Sequence, residues 1–226
     1  MVELYIHLLI TMIKLEPIKH IYYNTETGEI FSSVSKYISQ YKKPFIATTS
    51  NTYNTEQTLG MTHEEVVQHW KKINKLSIIR GHTIHKECED YLLTGVNNNI
   101  NEVPYDLLDI LKKKRCKKHI EEPVWCNDRT LAGTPDLVLE YKNYIEIWDW
   151  KTNKKNLHKC FKDNKLLFPY EHLPASSYSD YLLQAKEYSV MAEIKYNKPV
   201  TKNIIVHIFE GTKIIDITKD VKKLMK

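Results

Sequence analysis

The stretch Leu131–Asn153, reading LAGTPDLVLEYKNYIEIWDWKTN, decides the fold. Two apolar, β-favouring runs flank a short polar break. Leu137, Val138, Leu139 and Tyr141 precede it, and Tyr144, Ile145, Ile147, Trp148 and Trp150 follow it. That is the pattern of a hairpin, with Lys142-Asn143 as a two-residue turn in which Asn tolerates left-handed backbone. Such a turn sets Tyr141 opposite Tyr144, and the same register sets Asp136 opposite Asp149. Directly opposed residues hold their Cβ atoms roughly 4.5–5.5 Å apart. Side chains alternate along a strand, so Lys151 shares the face of Asp149. A longer loop would slide this register and part the two acids.

Like charges directly opposite destabilise a hairpin, and two close carboxylates stay ionised only when a cation lies between them. A surface hairpin with its charges in solvent would leave unexplained why both acids and the lysine fall on one face of otherwise apolar strands. The spacing therefore points to a built site containing Asp136, Asp149 and Lys151.

Gly133-Thr134-Pro135-Asp136 followed by Asp149-Trp150-Lys151-Thr152 resembles the PD-(D/E)XK nuclease signature. More narrowly it resembles the RecB-like exonuclease branch, whose motifs read G-x-x-D and D-x-K-T. Two further elements of that branch have counterparts. Gly81-His82-Thr83-Ile84-His85 is similar to its G-x-x-x-H, and Gln184-Ala185-Lys186-Glu187-Tyr188 to its Q-x-x-x-Y. Gly28 to Ser35, with Lys43-Pro44-Phe45 after it, resembles the opening segment of phage and mitochondrial genome maintenance exonucleases.

The resemblance implies an α/β, restriction-endonuclease-like core, a central mixed β-sheet flanked by helices. It implies Mg²⁺ or Mn²⁺ held by His85, Asp136, Asp149 and the backbone carbonyl of Trp150. A glutamate on the preceding strand would lie near the metal, with Glu121 and Glu122 as candidates and Glu122 preferred because it precedes a proline. His82 is the alternative to His85, and Glu89 would orient the imidazole. Lys151 would be catalytic, and Gln184 and Tyr188 would hold the substrate strand. The implied activity is a metal-dependent DNA exonuclease acting on free or single-stranded ends. The alternatives are an endonuclease of the same superfamily and an inactive nucleic-acid-binding domain, although a binding module has no need of both acids and the lysine.

The 226 residues suffice for one domain with a sizeable core. We expect that core over about 20–210, with 1–19 as an extension and 218–226 as a tail. Hydrophobic content of 42% and charged content of 27% are those of a globular protein. A net charge of +5 suits a polyanionic partner without identifying one. Cys88, Cys116, Cys126 and Cys160 form no C-x-x-C pair, which argues against zinc. Nor do they follow the iron–sulfur pattern of some RecB-like proteins. They read as reduced thiols of an intracellular protein, in the cytoplasm or phage-encoded within a host cell. Val2–Ile13 is apolar but too short to span a bilayer and lacks the features of a secretory signal, so neither secretion nor a membrane is expected.

Along the rest of the chain, Ile21 to Phe31 reads as a hairpin turning at Glu26-Thr27-Gly28, and Ser32 to Tyr41 as a helix. Residues 47–60, rich in Thr, Asn and Ser, read as a loop. Thr62 and Glu65 form a capping box. The helix they open carries Val66, Val67, Trp70, Ile73 and Leu76 as its apolar stripe, breaks near Arg80-Gly81, and resumes to about Leu93. Pro104 to His119 reads as a helix with a basic end, either a solvated terminus or a phosphate-binding patch. Strands over 120–126, 130–141 and 144–151 form an antiparallel meander. After an irregular 153–177 come a helix to about Tyr196, strands over 202–210 and 213–217, and a short C-terminal helix.

Overall fold

The computed structural model describes residues 13–16, 21–154, 156–160 and 164–226. Apart from Ile13, the apolar start Val2–Ile13 lies outside them. The expected hairpin is present, formed by β7 (Leu137–Glu140) and β8 (Ile145–Lys151). Leu137 pairs with Trp148 and Glu140 with Ile145, which is the register of a two-residue turn. The Tyr141 N–H donates to the Tyr144 carbonyl at 2.9 Å to close it, and the two tyrosine rings stack across it with centroids 4.5 Å apart.

The chain is α/β, and the described residues form two mixed sheets flanked by six helices. In one sheet β8 is central. Antiparallel β7 lies on one side of it, followed by β4 (Lys117–Ile120). On the other side lies β9 (Val200–Ile208), which runs parallel to β8 and pairs with β10 (Thr212–Asp216). The other sheet holds β1 (Ile13–Glu16), β2 (Ile21–Asn24), β3 (Ile30–Ser33), β6 (Leu131–Gly133) and β5 (Val124–Cys126), in that order. Here β3 and β6 are the parallel pair.

The expected meander therefore needs correction. The segments 120–126 and 130–141 are not continuous strands. Each leaves one sheet for the other, at residues 121–123 and at 134–136. A proline stands in each break, Pro123 and Pro135. Proline cannot donate to a ladder and so interrupts a central strand.

Alternation along β7 and β8 feeds two cores. Leu137, Leu139, Trp148 and Trp150 face α3 (His63–Thr94) and α4 (Tyr105–Lys113), packing with Ile84, Cys88 and Leu108. Val138, Ile145 and Ile147 face α5 (Ser177–Tyr196), packing with Leu183, Met191 and Ala192. That second core also takes in Val124 and Leu131 of the other sheet and Val34 and Ile38 of α1 (Val34–Ser39), so α5 ties the sheets together. Ile13 is buried against Tyr22 and Phe31, and Val221 of α6 (Thr218–Leu224) against Ile205.

Four helix readings change. The supposed loop 47–60 contains α2 (Thr49–Leu59), ended by Gly60 in the left-handed conformation. Buried Thr52 holds it to α3, its Oγ1 lying 2.8 Å from His63 Nδ1. The capping box at Thr62 and Glu65 is present, but α3 does not break at Gly81. Of the expected apolar stripe only Val66 is buried, while Ile73 and Leu76 are exposed. The helix placed at 104–119 stops at Lys113, and Lys117–Ile120 is strand, because His119 and Ile120 pair with Val138 and Leu137.

Candidate metal and phosphate site

Both strand breaks open onto one cavity of about 200 Å³, lined by His85, Glu121, Asp136, Asp149, Lys151 and Gln184 among others. Asp136 ends the break before β7 and is buried. Its Oδ2 accepts the Trp150 N–H across the hairpin, and its Oδ1 lies 3.1 Å from His85 Nδ1. Burial alone would raise its pKa. His85, Lys151 and the Trp150 N–H outweigh burial and hold it below the usual carboxylate value.

Asp149 is placed differently. Burial foremost, with Asp136 adding to it and Lys151 opposing it, pushes its pKa up to about 6. Its Oδ2 touches the Lys151 ammonium without hydrogen-bond alignment, and among the described residues that buried oxygen takes no hydrogen bond. Lys151 loses solvation by burial, but Asp149 and Asp136 more than restore its charge, so its pKa is raised. Its Nζ donates to Gln184 Oε1 at 2.8 Å and sits 4.7 Å from the Tyr181 ring centroid. Gln184 Nε2 in turn donates to the Tyr188 hydroxyl at 3.0 Å.

Two glycines permit these approaches. A Cβ on Gly133 would lie 2.5 Å from Tyr188 Cε1 and 2.9 Å from Val34 Cγ2, and one on Gly81 would lie 3.1 Å from Thr152 Oγ1. The glycines of G-x-x-D and G-x-x-x-H thus have packing reasons. One seats the Tyr188 ring against β6, and the other lets α3 run close to the end of β8. Arg80 reinforces that closeness by donating to the Thr152 and Ile208 carbonyls while pairing with Glu102.

The glutamate at the cavity is Glu121, not Glu122. Atoms of His85, Glu121 and Asp136 that can ligate a metal all lie within 4.8 Å of one another. Glu121 has positive φ (48°), and its N–H donates to the Asp136 carbonyl at 3.1 Å. Burial first and Asp136 second push its pKa up to about 9. Glu122 instead pairs with His119 and Lys195. The reason is local: the break turns successive side chains to opposite sides, and the resemblance to a Glu-Pro pair pointed at the wrong one.

His85 is half-buried, and its pKa is raised because Asp136 and Asp149 outweigh burial. His82 is exposed and does not line the cavity. Glu89 pairs with Lys86 at 3.4 Å, and among the described residues makes no bond to His85. Trp150 and Tyr188 are both buried, so neither ring offers an open face to a nucleotide base. In the basic run at the end of α4 and beyond it, Lys112 donates to the Tyr91 carbonyl and Lys118 to the Lys114 carbonyl, while Lys114 pairs with Glu146. Lys113, Arg115 and Lys117 remain exposed. Tyr181 was not singled out by the sequence reading. Its position three residues before Gln184, one helical turn away, was the only available signal.

No protein-family model matches the chain, and no curated protein matches it. Among solved structures it is similar to one described as "Crystal structure of SSO0001", at 14% identity, covering 65% of this chain and 84% of that one, with a TM-score of 0.28. A likeness that slight carries no argument. Among the described residues no helix is long and apolar enough to cross a membrane.

Proposed function

We propose that this chain is a divalent-metal-dependent nuclease that hydrolyses DNA phosphodiester bonds from a free end, of the PD-(D/E)XK kind its motifs resemble. The observation that carries the reading is the convergence of Glu121, Asp136, Asp149, His85 and Lys151 on one open cavity. The donor set, three carboxylates and an imidazole, suits Mg²⁺ or Mn²⁺. Such an ion, held by Asp136, Asp149, His85 and Glu121 with the Trp150 carbonyl, would neutralise the scissile phosphate and acidify a water.

The chain's own groups divide the remaining work. Lys151, paired with Asp149 and donating to Gln184, would orient the attacking water and stabilise charge developing on the phosphate. Gln184 accepts from Lys151 and donates to Tyr188. It fixes the ammonium's direction and is a positioning residue in addition to any contact it makes with the strand. Tyr181 lies beneath the ammonium and does the same from the other side. End dependence needs little base readout, because contacts to phosphates carry no sequence information.

The test is purified protein with one single-stranded DNA in linear and covalently closed circular form, with Mg²⁺, Mn²⁺ or EDTA. Metal-dependent loss of the linear strand and survival of the circle are expected. Lys151→Ala should slow the linear reaction by about 10²–10⁴-fold, the contribution of a positioned catalytic group. Equal rates on circle and line would replace the exonuclease with an endonuclease. Near-normal turnover by Lys151→Ala would make the lysine structural.

A further inference from the structure

A second cavity, larger than the first at about 420 Å³, opens at the carboxyl ends of β8 and β9. Its size falls within the roughly 300–1,000 Å³ of ligand clefts. The carboxyl ends of adjacent parallel strands are where open α/β sheets bind ligands. We propose that this cavity binds a nucleotide through its phosphate and base, either free or as one unit of a strand.

The lining carries both halves of such a ligand's chemistry. Lys154 and Lys213 both line it, one from the loop after β8 and one from β10. Both are exposed, and among the described residues neither forms an ion pair, so both ammonium groups are available to a phosphate. Phe209 and Ile215, half-buried, line the same cavity and offer an apolar surface for the flat face of a base. His158, exposed at the rim with its ring 4.2 Å from that of Tyr178, extends that surface. Glu210 is the one acid in the lining. It works against a bare anion and favours a ligand that brings hydroxyl or amino donors along with its charge.

The back of the cavity is rigid and joined to the carboxylate site. His207 is buried, and its Nε2 lies 2.8 Å from the Asn153 carbonyl, an acceptor only, so Nε2 is the protonated nitrogen. Asn153 Oδ1 accepts from the Tyr181 hydroxyl at 2.9 Å, and the Tyr181 ring underlies Lys151. His207 is also the register partner of Lys151 in the parallel ladder. The two cavities thus share one sheet face and one hydrogen-bonded connection. The inference does not need the nuclease reading, since the lysines and the apolar surface recognise a nucleotide whether or not the first cavity cleaves.

The test is calorimetric titration of the full chain in EDTA with adenosine 5′-monophosphate, inorganic phosphate and a four-nucleotide DNA. Saturable binding of the mononucleotide at least about tenfold tighter than phosphate is expected, the gain of adding base contacts to charge contacts. Lys213→Glu, at an exposed edge-strand position, should weaken it at least about tenfold, because a charge-assisted contact becomes a repulsion. Lys154→Ala should weaken it in the same direction, and Asp149→Asn should leave it unchanged. A tetranucleotide binding more tightly than the mononucleotide would assign the cavity to a strand, and the reverse to a free nucleotide. Absence of saturable binding by either, equal affinity for phosphate alone, or loss in Asp149→Asn with retention in Lys213→Glu would each overturn the proposal.

Discussion

The two halves of α3 both carry apolar residues but have opposite surroundings. After Gly81 the helix buries Ile84, Cys88, Tyr91 and Leu92 against the sheet and α4. Before it, Ile73, Leu76, Ile78 and Ile79 are each about half exposed, in a half whose neighbours include Thr52 of α2 at His63 and Phe45 at Trp70. One continuous helix is thus anchored at one end and stands proud at the other, and His85 sits in the anchored part. An apolar residue on a helix is an offer of burial, and whether it is taken up depends on what the rest of the chain brings to that face. Gly81 marks the changeover, because there α3 first meets the end of β8.

The largest effect that would sharpen this contrast is Ile84→Ala. Ile84 is almost wholly buried beside the residue that presents His85 to the site. Removing its side chain from a packed core should cost about 2–5 kcal/mol, measured as a shift of the urea midpoint at constant slope. A loss below about 1 kcal/mol would mean that the anchored half is held by something other than core packing.

A smaller effect is expected from Glu87, a buried carboxylate on the same half. It accepts from the Asn98 N–H at 3.1 Å, from Asn98 Nδ2 at 2.8 Å and from the Tyr105 hydroxyl at 2.8 Å. Burial would raise its pKa, but those donors outweigh it and the pKa is lowered. A carboxyl depressed in the folded state stabilises fully above its unfolded pKa, about 4.3. The contribution is lost as pH falls through the folded value. Glu87→Ala should cost about 1–3 kcal/mol at neutral pH by stranding the donors. It should also flatten the stability profile below about pH 4.3. A variant as acid-sensitive as the parent would place the sensitivity elsewhere, with Glu122 and Glu140, both depressed around His119, as the next groups to examine.

How much of this was legible in the sequence differs between the sheet and its surroundings. The β7–β8 hairpin, its register and the meeting of Asp136, Asp149 and Lys151 follow from local alternation and a two-residue turn, and the structure has them as read. The division into two sheets was also written in the chain, as Pro123 and Pro135, but a run of β-favouring residues on either side hid it. Glu121 was the casualty. Its place in the site depends on a positive-φ step inside the break rather than on strand parity. The helices erred where burial is decided from a distance. The polar composition of 49–59 gave no apolar face, yet Thr52 and the ends of the segment dock it on α3. The stripe at Ile73 and Leu76 had a face and no partner.

On the proud half the N-terminus is held by Thr62, whose hydroxyl accepts from the Glu65 N–H at 3.3 Å while Glu65 accepts from the Thr62 N–H at 2.8 Å. Thr62→Ala should cost about 1 kcal/mol, read in the same denaturation experiment. Amide exchange should show the loss confined to the first turns of α3, since a cap acts on the groups next to it. Protection lost equally around His85 would show that the two halves open together, and the contrast between them would then be one of exposure alone.

The smallest effect is expected at Ile79, 52% exposed and two residues before Gly81. Lysine there removes little buried area and has a somewhat better helix propensity than isoleucine. Ile79→Lys should therefore leave stability within about 0.5 kcal/mol of the parent, as surface substitutions do. The comparison with Ile84 is close to a controlled one: the same residue type, the same helix, five positions apart and on opposite sides of Gly81. A cost near that of Ile84→Ala would mean that Ile79 is covered in solution. Cover by another copy of the chain would make that cost depend on protein concentration. Midpoints measured over a hundredfold range of protein concentration separate the two cases. An isolated chain gives one midpoint throughout, whereas a ridge buried between copies gives a midpoint that climbs with concentration in the parent and stays flat in Ile79→Lys.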